Sequence, residues 1–93
     1  MMSFNDWNNP EYELERTAID HYLDDLGSHQ VLDDWRELLK YGTVSLQAIR
    51  EQMISELFAY DVDMDKVDNV EYLNDQFTER MKQLGFDLGK DIR

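Results

Sequence analysis

Apolar residues recur every three or four positions in four separate runs, and this spacing constrains the chain most, because only an α-helix gathers such positions onto one face. In the first run Leu14, Ala18, Tyr22 and Leu26 step by four, flanked by Ile19 and Leu23. Asn9 before Pro10 joins a capping residue to a favoured first-turn residue, and Glu11 and Glu13 lie where the helix macrodipole is positive. With Gly27 as a stop, the pattern predicts a helix from Pro10 to Leu26. Ser28 is placed to cap a second helix carrying Val31, Leu32, Trp35, Leu38 and Leu39 and ending at Lys40, Tyr41 and Gly42. Ser45 is placed to cap a third, with Val44 and Ile49 spaced for a hydrophobic staple. Leu46, Ile49, Met53, Ile54, Leu57 and Phe58 line that helix to about Ala59. A fourth is predicted with Asp68 as cap, Glu71 three residues on, and Val67 and Tyr72 in staple positions. Its apolar face is Val70, Leu73, Phe77, Met81 and Leu84, and Gly85 ends it.

Between the third and fourth runs the period changes. Tyr60, Val62 and Met64 alternate with Asp61, Asp63 and Asp65, which is strand spacing, but no second strand is available to pair with it. An extended acidic loop is the consistent reading. The expected fold is therefore all-α: a compact bundle of about four amphipathic helices with an acidic extended loop before the last. A length of 93 residues, a single proline and no repeat or low-complexity tract favour one domain over 1–93, with an N-terminal arm at 1–9 and a C-terminal tail at 86–93. In that tail Phe86 and Leu88 are expected to dock before the chain frays.

The chain has no cysteine, which removes disulfides, thiolate catalysis and sulfur-ligated zinc and fits a reducing compartment. Met1 to Asp6 contain neither a basic segment nor an apolar run, and no stretch is long enough to span a bilayer, so a cytoplasmic protein is expected. Twenty-one acidic against nine basic residues give a net charge of -12, which repels nucleic acid and anionic membranes and attracts cationic surfaces.

Catalytic and metal signatures are weak. Asp61, Asp63 and Asp65 match the first, third and fifth positions of an EF-hand loop, but Lys66 stands where glycine is required and Tyr72 where a bidentate glutamate is required. His21 lies four residues before Asp25 and His29 four before Asp33, a spacing that pairs each histidine with a carboxylate on its own helix surface. The serines and threonines fit caps and helix surfaces, and there is no nucleophile elbow or phosphate loop. No enzyme activity and no cofactor is expected.

The acidic residues are more ordered than their number requires. Asp68, Glu71, Asp75 and Glu79 step by three, four and four along one stripe of the fourth helix, with neighbours roughly 5 to 6 Å apart along the axis. Asp61, Asp63 and Asp65 extend this phosphate-like row if the loop is extended. A second patch is expected where Asp20, Asp24 and Asp25 meet Asp33, Asp34 and Glu37 across the turn at Gly27 and Ser28. Residues 1–35 hold nine acids and a single base, Arg16. A merely hydrated polar face explains the same charge.

In charge and size, though in no motif, the chain resembles the phage-encoded antirestriction and anti-CRISPR inhibitors as a class. The resemblance implies a DNA mimic from a phage or mobile element that occupies the basic surface of a DNA- or RNA-handling enzyme. Two other readings stand beside it. One is an immunity protein or antitoxin that caps a basic toxin, with Trp7 or Tyr12 as aromatic anchors. The other is a structural or adaptor subunit, such as a homodimer built on apolar faces.

Overall fold

Each apolar run forms a helix in the structure, a computed structural model that describes residues 10–92, with side chains described from Leu14 onward. The helices are α1 (Pro10–Ser28), α2 (Val31–Lys40), α3 (Leu46–Ala59) and α4 (Val67–Gln83), and no strand occurs among the described residues. The expected cap at Asn9 lies outside the described residues.

Three of the four helices end in the same way. In α2 the Thr43 N–H reaches the Leu38 carbonyl at 2.9 Å and the Gly42 N–H the Leu39 carbonyl at 3.2 Å, with Gly42 at φ 72. In α4 Phe86 and Gly85 repeat this on Met81 and Lys82, both at 2.9 Å, with Gly85 at φ 82. These are Schellman closures, which place a left-handed residue just past the helix. In α3 the bonds run from Val62 to Leu57 and from Asp61 to Phe58, both at 3.1 Å, and the left-handed residue is Asp61 at φ 64. The closure also directs the following residue inward: Val62 and Phe86 are buried alongside Leu57 and Met81. The alternation read around Tyr60 to Met64 thus arises from a helix stop followed by a buried anchor.

Two helix starts differ from the sequence reading. Gly27 does not stop α1, which runs on through Ser28, whose hydroxyl donates to the Asp25 carbonyl rather than capping α2. The chain turns instead at Gln30, the residue before α2, in a left-handed conformation at φ 64. Nor does Asp68 cap α4. The helix begins two residues earlier, after Lys66, because the preceding loop is drawn tight around Asp63: its carboxylate accepts from the Asp65 N–H at 3.1 Å and its carbonyl from Asn69 Nδ2 at 2.9 Å. Val67 consequently lies in the first turn, exposed, and forms no buried staple. Ser45 does cap α3, accepting from the Ala48 N–H at 3.1 Å.

The core contains Ile19, Tyr22 and Leu23 from α1, Leu32 and Leu39 from α2, Ile49, Met53 and Leu57 from α3, and Leu73, Phe77 and Met81 from α4. Val62, Met64 and Phe86 plug its edges. The buried faces are narrower than the apolar stripes: Leu14, Leu38 and Phe58 are exposed, since at about 100° per residue each is rotated well away from the buried line of its helix. The tail does not fray within the described residues. Asp87 and Asp91 close a turn, with Asp91 N–H to Asp87 O at 2.7 Å and Asp87 N–H to Asp91 Oδ2 at 2.9 Å, and Leu88 and Ile92 pack on the core.

Three cross-links show that α1 and α4 lie side by side and run in the same direction: Glu15 with Lys66, Asp20 with Tyr72, and Asp24 with Arg80. Trp35 of α2 meets Phe77 of α4 edge-on with ring centroids 6.2 Å apart, and Arg36 donates to the Leu84 carbonyl at the end of α4 at 3.1 Å. The Tyr22 hydroxyl donates to Glu56, joining α1 to α3.

Candidate acidic binding surface

The residues buried on α4, Asn69, Leu73, Phe77 and Met81, step by four along one side. At about 100° per residue, Asp68, Glu71, Asp75 and Glu79 then fall roughly opposite the core, and all four are exposed. They form a row about 16 Å long. Lys82, exposed three residues beyond Glu79, closes it with opposite charge in the last turn, where the macrodipole favours a cation. Among the described residues no basic side chain forms an ion pair with Glu71, Asp75 or Glu79. Beside the row, Arg16 lies over the Tyr72 ring with its guanidinium 5.1 Å from the centroid, and the two share a shallow cleft with Asp68, Glu71 and Asp75.

Asp61, Asp63 and Asp65 are also exposed, but they do not form an extended ladder. Asp61 ends α3, and Asp63 and Asp65 share a tight turn. That turn is held to α1 by Glu15, which accepts from the Asp63 N–H and from Lys66 Nζ, both at 3.0 Å. Burial raises the Glu15 carboxyl, but these bonds, a further one from Asn69 and the Lys66 charge outweigh it and hold the group below its ordinary range.

The second acidic patch is not brought together as one uncompensated surface. Asp20 accepts from the Tyr72 hydroxyl at 2.9 Å, and Arg80 reaches across from α4 to Asp20 and Asp24. Asp33 and Glu37 face Arg36 at 3.8 and 3.6 Å. Asp25 pairs with His29 at 3.5 Å, so His29 turns back to α1 instead of facing Asp33. The cause is topological: the parallel α1 and α4 put Arg80, remote in sequence, beside the α1 acids. Among the second group Asp34 alone is exposed with no cross-link among the described residues.

Sequence spacing did not single out Glu15, Asn69, Tyr72 or Arg80 as organisers of this surface. Asn69 is fully buried, and its Oδ1 has no hydrogen-bond partner among the described residues. The Tyr72 and Tyr22 hydroxyls are both raised above their ordinary range, first by burial and then by the carboxylate each one bonds, Asp20 and Glu56 respectively. No three histidine, aspartate or glutamate side chains converge as a metal site among the described residues, and no helix there is long and apolar enough to cross a membrane. Comparison with protein-family models, with curated proteins and with solved structures finds no match for this chain.

Proposed function

We propose that this protein is a binding inhibitor that docks the acidic face of α4 in a basic nucleic-acid-binding groove of another protein. The observation that carries this reading is the row Asp68, Glu71, Asp75 and Glu79, facing away from the core and, among the described residues, with no basic partner at its last three members. Glu71 with Asp75 and Asp75 with Glu79 are like-charge pairs one turn apart, each destabilising a helix by about 0.2 to 0.5 kcal/mol. The fold derives no packing from these side chains, and a solvated helix face serves equally well with mixed charge. By contrast, Glu15, Asp20, Asp24, Asp33 and Glu37 all have cationic neighbours. A partner that supplies cations for the α4 row relieves the repulsion and releases its own counterions, so affinity falls steeply with salt.

The test is capture from nuclease-treated lysate with wild-type protein and with the triple substitution Glu71→Lys, Asp75→Lys, Glu79→Lys. A basic nucleic-acid enzyme held by the wild type, displaced by duplex DNA, inhibited in its own assay and lost with the triple variant is the expected result. Capture and inhibition that survive charge reversal exclude the reading.

A toxin-capping role is the second reading, favoured by exposed aromatics beside acids: Tyr60 and Phe58 protrude next to Asp61. Its anchors named from sequence, Trp7 and the Tyr12 side chain, lie outside the described residues. Salt then slows association more than it loosens the final complex, and added DNA does not compete.

A further inference from the structure

We propose that the cleft between α1 and the end of α3 is a slot for an arginine side chain of the cationic partner. The inference rests on the reading above in taking the partner to be a basic protein, but it concerns a different face and different residues. The cleft, about 410 Å³ and open to solvent, is lined by Ala18, His21, Tyr22, Asp25 and Tyr60. Two of its lining residues are aromatic and pack on each other, the Tyr22 and Tyr60 ring centroids 6.2 Å apart with the planes inclined by 55°. Tyr22 turns its hydroxyl to Glu56, so it offers the cleft ring carbon rather than a hydroxyl. Tyr60 is 64% exposed at the edge of the core, and its backbone is held in place as the C-cap residue of α3.

A guanidinium is attracted to an aromatic face within about 6 Å of the centroid, so one planar cation in the cleft stacks on the exposed Tyr60 ring, with the buried Tyr22 ring behind it. The Asp25 carboxylate at the rim, 68% exposed and 3.5 Å from the equally open His29, adds a partner for its N–H fork. Glu56 behind Tyr22 adds negative potential. Apart from His21 and His29, no basic residue among the described residues lines or pairs at the slot. An anionic ligand meets like charge there, and a neutral apolar one leaves Asp25 unused. A lysine supplies charge without the plane that stacks on tyrosine.

The experiment is an NMR titration of the full chain, at about 150 mM salt, with three capped tripeptides, acetyl-Gly-X-Gly-amide, where X is arginine, lysine or citrulline. The expected result is a saturable shift of Tyr22, Tyr60 and His21 signals with the arginine peptide, weaker binding of the lysine peptide, and none of the uncharged citrulline peptide. Tyr60→Ala weakens arginine binding at least about fivefold, whereas Tyr60→Phe, which keeps the face, retains it. Asp25→Asn weakens it about threefold. Because Tyr60 and Asp25 are exposed, these variants keep the helical circular dichroism of the wild type. Equal binding of the lysine or citrulline peptide, shifts confined to the α4 row, or no saturable shift at peptide concentrations on the order of 10 mM overturns the proposal. The two ideas separate cleanly: the Lys substitutions on α4 leave tripeptide binding intact, and loss of the slot with capture still sensitive to α4 charge leaves the inhibitor reading standing.

Discussion

Asn69 is the buried partner that ties the acidic loop to the helices beside it. Fully buried, it donates to the Asp63 carbonyl and hydrogen-bonds Glu15, joining the loop, α1 and the first turn of α4. Asn69→Ala is expected to cost about 1 to 3 kcal/mol in denaturant unfolding, because the Asp63 carbonyl is left without that donor. An unchanged midpoint would show that water substitutes fully. Glu15 makes a pH-dependent contribution. Its carboxyl is depressed in the folded protein, so the stabilisation is complete above the ordinary carboxylate value and is lost as pH falls through the lower folded one. Melts of wild type and Glu15→Gln should therefore differ at neutral pH and converge in acid. The tyrosines carry the opposite sign: Tyr22 and Tyr72, both raised, stabilise fully below about pH 10 and lose this contribution as pH rises further. Tyrosine ionisation followed by ultraviolet absorbance should accordingly lag in the folded state.

At the scale of elements, helix ends decide more than helix interiors. The ends of α2 and α4 carry glycine at the left-handed position, whereas α3 carries Asp61 there. Asp61→Gly removes backbone strain of roughly 1 kcal/mol, partly offset by the freer unfolded chain, for a net gain of about 0.5 kcal/mol in thermal unfolding. Asp61→Val, β-branched at φ 64, is expected to lose more than that. If Asp61→Gly also leaves partner capture unchanged, its role is to stop α3 rather than to present charge. Periodicity revealed each helix and most of its buried face, while these closures were half legible: glycine marks two of them, but an aspartate inside an acidic run reads as charge. The start of α4 was missed for a similar reason, since the side chain that shapes it, Asp63, lies in the loop and acts on backbone groups that only the folded turn brings together.

For the whole molecule, a net charge of -12 opposes a small fold, and the seam between α1 and α4 answers it in part by gathering Arg16, Lys66 and Arg80 among the α1 acids. Raising the salt from low to moderate ionic strength should stabilise the protein by about 1 kcal/mol, or roughly 4 to 8 °C in Tm for a domain of this size. A Tm that falls with salt would mean that the seam's attractions exceed the overall repulsion. Relieving repulsion on α4 alone, with Asp75→Lys, should likewise raise Tm while weakening capture, the signature of charge retained for binding. The sequence by itself determined the helical class, the four segments and the outward direction of the α4 row, because a 3.6-residue period assigns faces without reference to any neighbour. Which acids stay uncompensated was decided only by the tertiary structure. Asp20 and Asp24 on α1 have the same spacing and exposure to sequence reasoning as Asp75 and Glu79 on α4. The parallel docking of α1 on α4 brings Arg80 to the first pair and leaves the second facing solvent, because electrostatic partners are set by distance in space and not by distance along the chain.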